Sequence, residues 1–403
     1  MRRIIVCLSL AFILFISCSE KKEINWLEKE YNEIERSARG STVTFYMWGG
    51  STIINTWIDS YVATLVKERF DVTLNRVPMD ASVFISKLMD QKSAHKTNGS
   101  MDLLWINGEN FKNAYGMGLL YGPFTHKLPN FNKYIDPATV EYDFGFPVMG
   151  YEAPYGKAQF VFEYDSAKIS EFPDTFESLL SWVKEHPGRF TYPQPPDFTG
   201  SAFVRQVYYA VTGGYEQYMN GFDAKLFLET ELLLWTYLNQ LKPYLWQKGK
   251  TYPKDIAALD TLFERGEVDL NMSYHQSHAQ NKITHGQYPD TVRSFVMKDA
   301  SISNTHFIAI PYNSPNKAGA LVVINQILSV EVQYNKNTPE AWGDFTILDM
   351  NRLDPKDRSL FKNLDLGAAT LSIEELALYA VPEIPSSYLE KLEQGWEDNI
   401  LKK

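Results

Sequence analysis

Four histidines, His275, His278, His285 and His306, are the first residues of this 403-residue sequence whose type suggests chemistry, because imidazole is a common metal ligand. A spacing of three places His275 and His278 on one helical face. No cysteine and no clear acidic partner completes a ligand set, so no metal is expected. Tyr208 and Tyr209 could offer phenolates to ferric iron, but they fall inside a predicted helix, where neighbours point about 100° apart and core packing accounts for them. Glu109, Glu152, Glu163 and Asp197, beside abundant Trp and Tyr, could supply a glycosidase pair and a sugar platform, although their separation is not readable from sequence. There is no Gly-x-Ser-x-Gly elbow, no Walker loop and no Gly-x-Gly-x-x-Gly. Binding therefore ranks above catalysis, with no enzyme activity and no cofactor expected.

The stretch that could bind is 191–210. Residues 189–192 read as a short strand, Pro193, Pro195 and Pro196 stop it, and Asp197, Thr199 and Ser201 offer helix-capping oxygens before an apolar helix. The unpaired amides of a first helical turn could make Thr199, Gly200, Ser201 and Ala202 a polar cradle for a small ligand. The plain alternative is a capped helix and nothing more. Similar junctions occur earlier. Residues 42–48 alternate as a strand and run into Gly49, Gly50, Ser51 and a helix; 72–77 is a second strand, 81–89 a helix, and 102–106 a third strand ending in Asn107, Gly108, Glu109 and Asn110. Such alternation predicts an α/β fold with a parallel sheet, whose right-handed crossovers bring the turns after the first and third strands to one edge. Ligands bind at that edge in open α/β sheets, so Trp48, Gly49, Gly50 and Ser51 join residues 107–110 as candidate contacts.

The Gly- and Pro-rich stretch 142–155 reads as a crossing into a second lobe, followed by a strand at 159–164 and helices at 203–211, 224–240 and 255–265. A strand at 268–273, a return strand at 304–311, a helix at 318–328 and a C-terminal helix near 387–400 complete the reading. The organisation expected is a leader at 1–17, a tether and helix at 18–40, a discontinuous first lobe at 41–150 and 306–345, a second at 151–305, and a C-terminal helical segment at 346–403. Acidic residues outnumber basic ones by 49 to 39, for a formal charge of −10, which argues against a nucleic-acid partner.

Arg2 and Arg3 precede the apolar run 4–16, and Cys18 follows Phe15, Ile16 and Ser17. The run is too short for a stable membrane span and reads as an export signal. It resembles a bacterial lipoprotein signal, with Phe15 where Leu is usual, and implies lipidation of Cys18 and a membrane-anchored protein on the periplasmic side. The mature chain then holds no other thiol.

A wider resemblance rests on Tyr46-Met47-Trp48-Gly49-Gly50, the run from Asp102 to Phe111, the run from Tyr192 to Phe203, Pro243-Tyr244-Leu245-Trp246, His278-Ala279-Gln280 and Ala341-Trp342-Gly343-Asp344. Together these resemble the YnjB-like family of ABC transporter periplasmic binding proteins. The resemblance implies a two-lobed periplasmic-binding-protein-like fold of type II, each lobe a central mixed sheet flanked by helices, and a monomer that captures a solute and delivers it to a membrane permease. Trp48, Gly49, Gly50, Ser51, Asn107, Gly108, Glu109, Asn110, Asp197, Thr199, Gly200 and Ser201 are the expected ligand contacts. Helix starts favour an anion and aromatic faces a cation by similar energies. Glu109 and Asp197 tip the expectation toward a cationic or zwitterionic organic solute, thiamine-like or amine-bearing. A lipid-anchored carbohydrate-active enzyme and a ligand-free structural lipoprotein are the alternatives.

Overall fold

The structure is a computed structural model, and residues 24–402 are described; the expected leader and Cys18 lie outside them. Val43, Phe45 and Met47 are fully buried in β1 (Thr42–Met47), which pairs in parallel with β2 (Thr73–Pro78) on one side and β3 (Leu103–Ile106) on the other. Tyr46 lies opposite Leu104. The turns after β1 and β3 therefore leave the sheet at the same carboxyl edge, as the alternation of elements requires.

Strand β4 (Glu152–Gln159) leads out of this core into a smaller sheet, in which β5 (Val161–Asp165) lies between β6 (Leu270–Ser273) and β7 (Val292–Phe295), antiparallel to both. The chain returns along β8 (Ser301–Ala309), antiparallel to β4 from Ser303↔Gln159 to Ala309↔Glu152. Beyond them, β9 (Ala380–Pro382) adds in parallel to the start of β8. The long pair β4 and β8 spans two cores. Tyr155 and Phe307 pack in the first with Phe45, while Ala158 and Ile302 pack in the second with Phe203 and Trp396. Beyond residue 346 the chain divides between them: Ile347 and Leu353 join the first core, and Tyr388, Leu392 and Trp396 the second.

Sequence reading misses β4 and β7. In β4, Pro154 and Gly156 look like turn residues, yet the strand is buried between neighbours that accommodate both. Gly156 is there because of a close approach: a Cβ would come 2.0 Å from Asp344 Oδ2 and 2.6 Å from Lys336 Nζ. Conversely, residues 189–192 do not form the expected strand. Their carbonyls bond outward to loops, Arg189 O to Asp269 N and Phe190 O to Trp246 N, both at 2.8 Å.

The helix Phe198–Thr212 begins five residues earlier than 203, with Asp197 as its N-cap, and is buried from Thr199 to Tyr209. Gly200 lets it press on the preceding segment, because a Cβ there would come 2.0 Å from the carbonyl oxygen of Pro193. Gly200→Ala should therefore lower stability by about 1–3 kcal/mol through overpacking. A denaturation midpoint left unchanged would show that the Pro193 backbone yields freely.

Candidate ligand site between the two lobes

The turn after β1 is shaped by its glycines. A Cβ on Gly49 would come 2.7 Å from that of Pro78, and one on Gly50 would enter the Trp48 indole, which folds over it and remains 42% exposed. Ser51 Oγ accepts from Ile54 N at 3.4 Å and caps the next helix. One strand along the same edge, Gly108 has φ +60° and lies against the Phe144 ring, 3.2 Å from the position of its absent Cβ. Its amide donates to Asp143 Oδ2 at 2.5 Å. Asn107, Glu109 and Asn110 are partly exposed around it.

The second lobe meets this turn through rings and a cation. Phe198, 43% exposed, lies with its ring centroid 6.4 Å from that of Phe144, and the Arg205 guanidinium stands 5.8 Å from one ring and 5.9 Å from the other. Tyr274, just past β6, packs 5.0 Å from Phe198. Residues 107–110 and 197–201 are thus brought together. The turn holding Trp48, Gly49, Gly50 and Ser51 leaves the same sheet edge without taking part in that ring contact.

The polar groups of the helix start are not free. Asp197 Oδ1 accepts from the amides of Thr199 and Gly200 at 3.0 and 2.9 Å, and Ser201 Oγ donates to Glu393 Oε1 at 2.7 Å. Thr199, Gly200 and Ser201 are buried, and what the helix presents outward is Phe198. Burial raises the pKa of Asp197 despite these amide bonds.

Residues that the sequence did not single out complete the arrangement. Arg205, fully buried, donates from Nε and Nη2 to the two oxygens of Glu383 at 2.9 Å each, and from Nη1 to Ser201 Oγ at 2.9 Å. Tyr274 OH donates to Glu383 Oε1 at 2.6 Å. Glu393 belongs to the C-terminal helix Ser386–Trp396, which also receives a hydrogen bond from Lys112 Nζ of the first lobe on Ser387 Oγ at 3.1 Å. This helix touches both lobes. Glu109 is pushed above the usual carboxylate range by burial and by Glu393 and Glu390. Glu393 is raised by burial against the opposing pull of Ser201 and Arg205. Asp143, which holds the Gly108 amide, and Glu152, on β4 opposite Ala309, are both fully buried and raised well above their ordinary values, first by burial; neither oxygen of Glu152 has a hydrogen-bond partner. Only the position in space of residues 383–393 makes them relevant, so no local motif could have found them.

The histidines have separate employments. His278 Nδ1 lies 2.8 Å from Glu163 Oε1 and its Nε2 lies 3.2 Å from Asp260 Oδ2, an acidic pair invisible from sequence spacing. His275 Nε2 lies 3.0 Å from Trp342 O, His285 Nδ1 2.8 Å from Asn281 O, and His306 Nε2 3.3 Å from Asp344 Oδ1. Among the described residues no group of three His, Cys, Asp or Glu is placed to hold a metal ion. Tyr208 and Tyr209 are core residues, bonded to Thr230 Oγ1 and Pro382 O. The glycosidase carboxylates do not pair at a common opening: Glu152 is buried, Glu163 holds His278 and Asp197 caps a helix. Surface cavities of about 490 Å³ at Tyr61 and Tyr334, and about 320 Å³ at Tyr115 and Tyr151, are lined by none of the residues that meet at Phe144 and Phe198.

Residues 60–349 match the family described as bacterial extracellular solute-binding protein. The chain belongs to that family. As a solute-binding protein of the ABC transporter type, and not an enzyme, it is 37% identical over 332 residues to protein YnjB of Escherichia coli (strain K12), covering 82% of this chain and 85% of that one. Its fold is shared with a spermidine/putrescine ABC transporter substrate-binding protein of Streptococcus pneumoniae, at a TM-score of 0.64 and 14% identity, covering 89% of this chain and 99% of that chain. It is shared also with the periplasmic binding protein AfuA of Actinobacillus pleuropneumoniae, solved with fructose-6-phosphate, at a TM-score of 0.62 and 13% identity, covering 89% and 98%. Among the described residues no helix is long and apolar enough to cross a membrane.

Two outcomes follow for this solute-binding protein. Arg205→Met leaves Glu383 buried without its partner and should cost about 3–5 kcal/mol in denaturant unfolding; a loss under about 1 kcal/mol would show that Tyr274 alone satisfies the carboxylate. The pKa of His278 is pushed up to about 10, burial being outweighed by Asp260 and Glu163. A raised histidine contributes stability that is complete below its ordinary 6.5 and is lost as pH rises toward about 10. Melting temperature should therefore fall across that window more steeply for the wild type than for His278→Gln, and parallel curves would refute the assignment.

Proposed function

We propose that this solute-binding protein is anchored outside the cytoplasm through lipidated Cys18, captures a small cationic or zwitterionic organic solute between its lobes, and delivers it as a monomer to an ABC permease. The lobes are taken as 41–150 with 306–345, and 151–305, joined by β4 and β8. The observation that carries the reading is the meeting of the 107–110 turn with the start of the helix Phe198–Thr212 through Phe144, Arg205 and Phe198. Ligands of open α/β sheets bind at such a carboxyl edge, and Trp48 and Phe198 keep exposed ring faces on which an organic cation can rest.

In the proposed cycle the Phe144 and Phe198 rings part as β4 and β8 flex, solute enters against Trp48, Gly49, Gly50, Ser51, Asn107, Gly108, Glu109 and Asn110 on one side and the helix start at Asp197 and Phe198 on the other, and the lobes close over it. Solute stabilises the closed form by its differential affinity for that form, and the permease reads the shift. Thr199, Gly200 and Ser201 support the wall while Phe198 touches the guest. The fold relative named for spermidine and putrescine favours an amine. The one solved with fructose-6-phosphate shares the architecture equally, so the choice between them rests on side chains.

Calorimetry of the purified protein with thiamine, putrescine, fructose 6-phosphate and a neutral sugar tests the solute class. Heat with thiamine or putrescine is expected, and heat with the phosphate ester or sugar alone would overturn the cationic assignment. Cys18→Ala should move the protein from the membrane fraction to the soluble fraction of expressing cells; unchanged partition would remove the lipid anchor.

A further inference from the structure

A short hairpin at 142–147 carries a bulky residue in a backbone conformation that such residues resist. Tyr142 pairs with Pro147 and Asp143 with Phe146, which leaves Phe144 and Gly145 as a two-residue turn, and both have positive φ, +44° and +72°. Turns of that kind ordinarily take Asn-Gly or Asp-Gly, because a side chain as large as phenylalanine is disfavoured at positive φ. Such a residue persists only where its surroundings hold it in place.

Those surroundings come from both lobes. The base of the hairpin is rooted in the first: Val140 and Val148 belong to its core, Phe146 packs 5.9 Å from Phe111 and 5.7 Å from Tyr115, and Asp143 holds the Gly108 amide. The tip meets the second. The Phe144 ring lies 6.4 Å from that of Phe198 and 5.8 Å from the Arg205 guanidinium, and a Cβ on Gly145 would come 3.3 Å from Pro385, the neighbour of Ile384 in the second core. Although it stands at a hairpin tip, Phe144 is only 5% exposed. Part of that cover belongs to the opposite lobe, so parting the lobes would return apolar ring surface to water and give up the cation–π contact. An asparagine would build the same turn without strain. What the phenylalanine adds is the contact across the cleft.

We infer that Phe144 is an interlobe latch: in the solute-free protein its ring, seated against Phe198 and Arg205, holds the lobes together and fills the gap that solute must open. The latch rests on the cleft reading above and adds regulation to it. Solute binds the fraction of molecules in which the rings have parted, so the contact lowers apparent affinity by that fraction. Strain at residue 144 and burial of its ring oppose each other, which keeps the latch releasable.

Small-angle X-ray scattering of the whole mature protein, freed of carried solute by dialysis from denaturant and refolding, tests this without a ligand. Phe144→Asn keeps a residue suited to the turn and removes the ring; Phe198→Ala removes the partner ring from a position that is 43% exposed. The radius of gyration should rise in each, with a cooperative melt retained, and the double variant should rise no further than the larger single change, since both break one contact. A radius equal to that of the wild type in either single variant would overturn the latch, and should Phe144→Asn fail to fold, Phe198→Ala alone decides. Calorimetry with putrescine, thiamine and fructose 6-phosphate separates the latch from the cleft reading. Any of them that gives heat with the wild type should bind Phe144→Asn more tightly, by about threefold or more, and unchanged or weaker binding would overturn the competition. Heat from none of them, with the scattering change present, would support the latch and count against the solute class proposed for the cleft.

Discussion

The buried pair of Arg205 and Glu383 is the interaction on which the rest of the interlobe region depends. A guanidinium withdrawn from water is tolerated only when its donors are filled, and here two go to one carboxylate and a third to Ser201. Burial acts to lower the pKa of Arg205, but Glu383 outweighs it, so the charge is kept. Because Glu383 lies 178 residues further along the chain, this one contact fixes where the C-terminal stretch must run. Its consequences are local and specific: Pro385 comes against Gly145, Ser387 reaches Lys112, and Glu393 reaches Ser201.

That placement changes the electrostatics of a familiar helix start. The first turn of the helix Phe198–Thr212 offers amides and a hydroxyl that favour negative charge by the dipole and by direct donation. Here the amides of Thr199 and Gly200 are taken by Asp197 and the hydroxyl of Ser201 by Glu393, so the helix start is satisfied within the protein. The fold is shared with a relative named for spermidine and putrescine and with one solved with fructose-6-phosphate, so the architecture held in common does not by itself select a solute.

The connection between the lobes has its own ion pair. Lys336 and Asp344, both buried, stand 2.5 Å apart against β4, with Lys336 also donating to the carbonyls of Tyr155 and Phe345, and with His306 of β8 on the other oxygen of Asp344. Trp342 stacks on His306 at 5.8 Å and lies 6.1 Å from Tyr155. Gly156 admits this cluster to the strand. The two crossing strands are thus braced by charge and rings.

What the sequence by itself determined were the features written in local order. The 42–48, 72–77 and 102–106 strands with their intervening helices follow from hydrophobic period and right-handed crossover, and they oblige the 48–51 and 107–110 turns to share an edge. The cap at Asp197 and the burial of Tyr208 and Tyr209 follow equally from neighbours in the chain. Tertiary structure alone decided the rest. It placed a carboxylate from residue 393 on Ser201, turned Glu163 and Asp260 into partners of His278, and made a buried strand of the Pro- and Gly-bearing 152–159 segment. The reason is one of range: helix period, caps and crossovers act over a few residues, whereas the sign of a cleft depends on charges separated by hundreds of residues, whose meeting is fixed only once the cores have packed.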